Sequence, residues 1–283
     1  NKLNLFMFKK QLNPIRKIKA FNNPIIWVTL PTAYPLLSQF KTCPIIYYCC
    51  DDYSVLTESL NSQIRICEDK LIKKASLILV VSSTLASMMP ENKTLILDHA
   101  IDVELFSKPQ ERPKDLPEGK PIAGFYGSLS HWVDFDLIHQ CATALNNWNF
   151  VLIGPKSVGF ERLEQLSNVF YLGAKNYMEL PGYSQHWDVG LIPFVKNQLS
   201  DACNPLKVKE YLATGKPVIS IDIPALRIYK DYIHIAKDPQ DFIKAIPLSL
   251  QDSNAQARKN LVKDQSWDNR ALFLEEKLLG LDS

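Results

Sequence analysis

Asn204-Pro205-Leu206-Lys207-Val208-Lys209-Glu210-Tyr211-Leu212-Ala213-Thr214-Gly215-Lys216-Pro217-Val218-Ile219-Ser220-Ile221 reads as loop, helix, tight turn and buried strand in succession. Pro205 suits a helix start because its fixed φ and missing amide hydrogen cost nothing there. Leu206, Tyr211 and Leu212 supply an apolar stripe, and Gly215 followed by Pro217 stops the helix before a β-branched run. Lys207, Glu210 and Tyr211 are three and four apart, so a cation and a carboxylate share one face near the helix N-terminus. Free amides and the helix dipole attract anions at such an end.

The text around this stretch alternates in the same way. Downstream of residue 120 the pattern predicts strands at Pro121–Tyr126, Asn149–Gly154, Val169–Gly173, Val189–Pro193, Pro217–Ile221 and Tyr232–Ala236, with helical text between them and an amphipathic last helix at 266–279. The Gly127-Ser128 turn after the first of these strands is where a backbone can approach a phosphate, although a lone glycine turn is a weak signal. Upstream, Pro24–Pro31, Pro44–Cys50, Leu77–Val81 and Lys93–Leu97 read as strands, with a helix from about Leu56 to Lys74. Strand, helix, strand in this order argues for parallel sheets. Residues 107–120 are charged, apolar-poor and hold three prolines, which predicts a linker between a domain at 1–106 and another at 121–283, the last helix packing back on the first domain.

Composition narrows the function. A chain of 283 residues with 46% hydrophobic and 22% charged content has room for two cores, and a net charge of +2 gives no general reason to expect a nucleic-acid partner. Lys9, Lys10, Arg16, Lys17 and Lys19 gather near the start with few acids, either as a solvated face or as a peripheral contact with an anionic membrane surface. The six cysteines have neither C-x-x-C nor disulfide-framework spacing and fit reduced thiols of a cytoplasmic protein. Apolar runs are too short to span a bilayer.

With the motifs in place, the chain resembles the bacterial glycosyltransferases of two facing Rossmann-like domains, the GT-B fold, and within them the family-four retaining group of polysaccharide assembly. The segment Asp98-His99-Ala100-Ile101-Asp102-Val103-Glu104-Leu105-Phe106, the donor-domain opening at Ile122–Leu129 and the core Pro205–Val218 carry the likeness, in the family's order. The resemblance implies that Glu210 holds the donor ribose, that Lys207 lies by the diphosphate, that Gly127 and Ser128 give amides to phosphate, and that Lys175 and Asn176 lie beside the base. It implies a UDP or GDP sugar as donor, a glycan or lipid-linked acceptor, and no required metal or cofactor. The chain also departs from the family. A further glutamate eight positions before the ribose-binding one is Ala202 here, with Asp201 adjacent. The glycine-rich first strand and turn are not visible, so an N-terminal domain shortened at its start is expected.

Asp51 and Asp52 follow a predicted strand at its carboxyl end, where open α/β sheets bind ligands, and either faces the substrate or caps a helix. His131, just after the phosphate turn, is the candidate to hydrogen-bond phosphate or acceptor. With Asp51 and Asp52 it completes the catalytic candidates. Two other readings stay open: a nucleotide-sugar epimerase of the same architecture, which would turn over donor alone, and a non-catalytic nucleotide-binding scaffold.

Overall fold

Buried aliphatic runs become strands, and among the described residues every ladder between the ten strands is parallel. The computed structural model describes residues 6–8, 10, 11, 24–55 and 61–279. Lys9, Arg16, Lys17 and Lys19 of the basic N-terminal stretch, and residues 56–60 of the predicted helix, lie outside them. Contacts divide the chain into two compact units, one of residues up to Asp98 together with those from Glu275, the other His99–Leu274.

The first unit holds β1 (Ile26–Val28), β2 (Ile45–Cys49), β3 (Leu77–Val80) and β4 (Thr94–Ile96) in that spatial order. Its core is β2 and β3, where Ile46, Tyr47, Ile78, Leu79 and Val80 are fully buried, as expected of strands covered on both faces. The Asn61–Lys74 helix packs Leu71 inward, and Lys93 closes its C-terminus by donating to the carbonyls of Ile72 at 2.7 Å and Ala75 at 3.0 Å. Those carbonyls have no partner inside the helix, and a cation there also answers the dipole.

The second unit carries β5 (Ile122–Tyr126), β6 (Asn149–Ile153), β7 (Val169–Tyr171), β8 (Val189–Ile192), β9 (Val218–Ile221) and β10 (His234–Ala236), ordered β10-β9-β8-β5-β6-β7. The chain fills one side with β5, β6 and β7, then returns across β5 to lay β8 on the other. That reversal is the topological switch point of a doubly wound sheet, outside whose carboxyl edge ligands bind.

The division between units falls at Asp98/His99, upstream of the expected linker at 107–120, because this segment belongs to the second core. Ile101, Phe106 and Leu116 are buried there. Gln185 stitches the strap down, donating to the carbonyls of Phe106 at 2.9 Å and Lys108 at 2.8 Å and accepting from the Gln110 amide at 2.9 Å. A charged, proline-rich stretch can therefore be a packed strap when a neighbouring side chain satisfies its backbone.

Candidate functional site

The Leu206–Thr214 helix follows Pro205, which stands at the cap position, and no side chain caps its first amides. Gly215 closes the other end in the left-handed region at φ 83°. Two glycines seat this helix on the sheet. A Cβ at Gly190 would stand 2.5 Å from the Tyr211 ring, and one at Gly124 would stand 2.1 Å from Trp187. The rings of Tyr126, Trp187 and Tyr211 fill the space so gained, with centroids 5.0 to 5.6 Å apart. The Tyr211 hydroxyl accepts the Tyr126 amide at 3.2 Å. The rotation of the helix is thereby fixed, and with it the directions of Lys207 and Glu210.

Lys207 points at the Gly127 turn, and a Cβ on Gly127 would come within 2.4 Å of its Cε. Gly127 has φ 150° and Gly154 φ 140°, and a Cβ on Gly154 would meet the Gly127 carbonyl oxygen at 1.8 Å. The carboxyl ends of β5 and β6 thus press together beneath the lysine with no room for side chains. Among the described residues the Lys207 ammonium has no hydrogen-bond or ion-pair partner within reach. Its desolvation holds it below the ordinary lysine range, and the pull of the nearby Glu210 charge only partly offsets this. Glu210 is 2% exposed, and its Oε2 accepts the Tyr126 hydroxyl at 2.8 Å. The Tyr177 phenol stands near the same carboxylate. Burial pushes Glu210 up from the usual carboxylate range despite these phenols and Lys207. An unsatisfied cation over a glycine turn, beside a carboxylate held by a phenol, is arranged for a ligand carrying both anion and hydroxyls.

Other expected site residues fall around this point with different duties. Ser128 is half-buried in the turn itself. Lys175 is engaged elsewhere, paired with Asp115 at 2.6 Å, while Tyr183 donates to the other Asp115 oxygen at 2.8 Å. Asn176 caps the turn at Tyr177–Glu179 through a reciprocal bond with Glu179. His131 lies at the surface with Nδ1 3.2 Å from Ser130 Oγ and its ring 5.0 Å from that of Trp132. Ala202 is fully buried, and Asp201 beside it pairs with Lys196 at 2.5 Å. His99 gives its carbonyl to the buried Lys209, which makes Lys209 a structural lysine.

Asp51 and Asp52 belong to the first unit, at the carboxyl end of β2. Asp52 Oδ1 accepts from the Ser54 amide at 3.0 Å and hydroxyl at 2.6 Å, so this carboxylate shapes a turn. Burial raises the Asp51 carboxyl, and that of Glu68, which accepts the Tyr47 hydroxyl at 2.6 Å. The same burial pushes Cys49 up to about 12 and Cys50 to about 11, so both are protonated thiols. Among the described residues no group of three or more His, Cys, Asp or Glu could hold a metal, and no helix is long and apolar enough to cross a membrane.

Tyr126 and Tyr177 are the site residues that sequence reasoning passed over. A tyrosine in a buried strand reads as core. The available signal was its hydroxyl, which a buried tyrosine has to satisfy. A cavity of about 380 Å³ around Arg258 and Asp252 opens at the amino ends of β9 and β10, the opposite edge of the sheet from Gly127.

Residues 120–252 match the family model described as "Glycosyl transferases group 1". The chain is similar to TuaH of Bacillus subtilis (strain 168), named as a glycosyltransferase of teichuronic acid biosynthesis, at 28% identity over 273 residues, 86% of this chain and 68% of that protein. Among solved structures it superposes on sucrose-phosphate synthase of Thermosynechococcus elongatus with a TM-score of 0.77 at 15% identity, covering 98% of this chain and 78% of the other. It also superposes on Anabaena HepE in complex with UDP, with a TM-score of 0.70 at 15% identity, covering 90% and 78%. The chain thus shares the fold of these solved structures, and its likeness in sequence is to glycosyltransferases. Its second unit is the part that matches the group 1 model.

Proposed function

We propose that the protein transfers a sugar from a nucleoside diphosphate sugar, of the UDP or GDP type, to a glycan or lipid-linked acceptor in polysaccharide biosynthesis, with retention of configuration. The observation that carries the donor reading is the Lys207 ammonium over the Gly127 turn, without a hydrogen-bond or ion-pair partner among the described residues, one helical turn from the buried Glu210 carboxylate. As the sugar leaves, negative charge grows on the diphosphate. Lys207, the Ser128 amide and the uncapped start of the 206–214 helix meet it while Glu210 accepts the ribose hydroxyls; the Gly127 amide, expected to share this duty, is bonded to the Ile153 carbonyl at 2.9 Å, so Gly127 serves by leaving room for the approach. In this reading the protein's own groups answer that charge, and no metal or other cofactor is invoked.

The similarity to TuaH supports the polysaccharide assignment, and the UDP bound by the structural relative HepE supports the donor class. Retention follows from the family-four resemblance. Asp51 and Asp52 in the first unit and His131 in the second stay the catalytic candidates, with Asp52 also shaping the turn beside its neighbour. Lys175 and Asn176 flank the base through their backbone, because their side chains are engaged. We place the protein in the cytoplasm, where nucleotide sugars are supplied, with membrane contact made through a lipid-linked acceptor.

Incubation of the protein with radiolabelled UDP- and GDP-sugars, with and without glycan and lipid-linked acceptors, tests this. Acceptor-dependent release of nucleoside diphosphate with label in the acceptor is expected. Donor turnover without acceptor would establish the epimerase reading instead, and tight donor binding with no turnover would establish the scaffold.

A further inference from the structure

We infer that Tyr126 is a positioning residue of the donor site: its hydroxyl holds one oxygen of Glu210, keeping the carboxylate ionised with its other oxygen available to the ligand. The inference rests on the donor reading above. Tyr126 ends β5, one residue before the phosphate turn, and it is almost fully buried, so its side chain has no route to solvent. Its hydroxyl donates to Glu210 Oε2 at 2.8 Å, its one bond among the described residues, and the ring is clamped between Trp187 and Tyr211. A clamped phenol in a strand is a stiff donor. It orients the carboxylate and favours its charged form where burial opposes that form.

The groups facing Glu210 are few. On its own helix Lys207 attracts the carboxylate, and Tyr211 contributes a hydroxyl turned to the Tyr126 amide. From the turn at Tyr177–Glu179 comes the Tyr177 phenol, more than a third exposed, with Asp102 beside it. Tyr177 is therefore free to yield to an incoming ribose hydroxyl, whereas Tyr126 is not. The strand tyrosine sets the carboxylate before the ligand arrives, and the exposed one covers it until then.

Full-chain Tyr126→Phe, with Tyr211→Phe as control, tests this by calorimetric binding of UDP and GDP across pH. Both variants keep their rings and each loses one buried hydroxyl, but only the first hydroxyl touches the carboxylate. Wild-type binding should fall on the acid side as Glu210 protonates, earlier than for an ordinary carboxylate. In Tyr126→Phe that limb should move to higher pH, with binding about tenfold weaker at neutral pH. In Tyr211→Phe the melting temperature should drop while the limb stays in place. A limb unmoved in Tyr126→Phe, with wild type still binding nucleotide, overturns the positioning role and leaves the donor reading standing. A wild type that binds neither nucleotide fails the donor reading itself.

Discussion

Lys207 is a cation placed at a cost, and the sign of that cost can be measured. Its folded pKa lies below the unfolded value, with the attraction of Glu210 already included. The folded state therefore binds fewer protons at this position than the unfolded one, and stability rises with pH through the window between the two values. At neutral pH the charged lysine works against the ligand-free fold. Lys207→Met keeps the length and removes the charge, so it should raise the melting temperature of the free protein by a few degrees, on the order of 1 kcal/mol. The same variant should lose the further rise that UDP or GDP gives the wild type. A lower melting temperature with nucleotide protection intact would mean that the ammonium is a structural group. Glu210 shows the opposite pH dependence on the acid side: its raised pKa means that its protonated form is the one the ligand-free fold favours, an advantage lost as pH rises through the folded pKa. Function and stability pull apart at both residues, as expected where groups are held ready for a ligand.

At the scale of elements, the glycines explain why the site is built where it is. Gly154 N donates to the Gly173 carbonyl at 2.9 Å and Gly127 N to the Ile153 carbonyl at 2.9 Å, so the carboxyl ends of β5, β6 and β7 interlock through backbone alone. Gly154→Ala adds a methyl to a residue at φ 140°, against the Gly127 carbonyl. A destabilisation of at least about 2 kcal/mol in urea unfolding is expected, with nucleotide protection lost because the turn under Lys207 must shift. Unchanged binding would show that the turn does not shape the ligand site. Much of this level was legible beforehand. The 206–214 helix, its glycine stop and the following strand all stand as the text reads, because proline, glycine and β-branched residues act locally. The side-chain duties of Lys175 and Asn176 were not legible. Asp115, which engages Lys175, lies 60 residues away in sequence, and a helix cap and a ligand contact draw on the same asparagine chemistry.

The whole molecule repeats the lesson about locality. Alternating strands and helices announced two parallel α/β units, and the unit boundary was misplaced only where composition stood in for packing: residues 107–120 look like a linker, yet Leu116 is buried and Gln185 satisfies the strap's backbone. Tyr126 and Tyr177 were hidden for the same reason, since 84 residues separate Tyr126 from the carboxylate it serves. The order β10-β9-β8-β5-β6-β7 brings them together by placing β5 at the centre of the sheet and the 206–214 helix above its carboxyl end. The central claim is that a nucleoside diphosphate binds there, gripped by Lys207 and clasped by Glu210. Isothermal titration of UDP and GDP into wild-type protein and into Glu210→Ala measures it directly. One nucleotide binding the wild type, and at least tenfold more weakly the variant, is the predicted result, because a hydrogen-bonded carboxylate is lost from the ribose. Equal affinity of wild type and variant for every nucleotide that binds would contradict it.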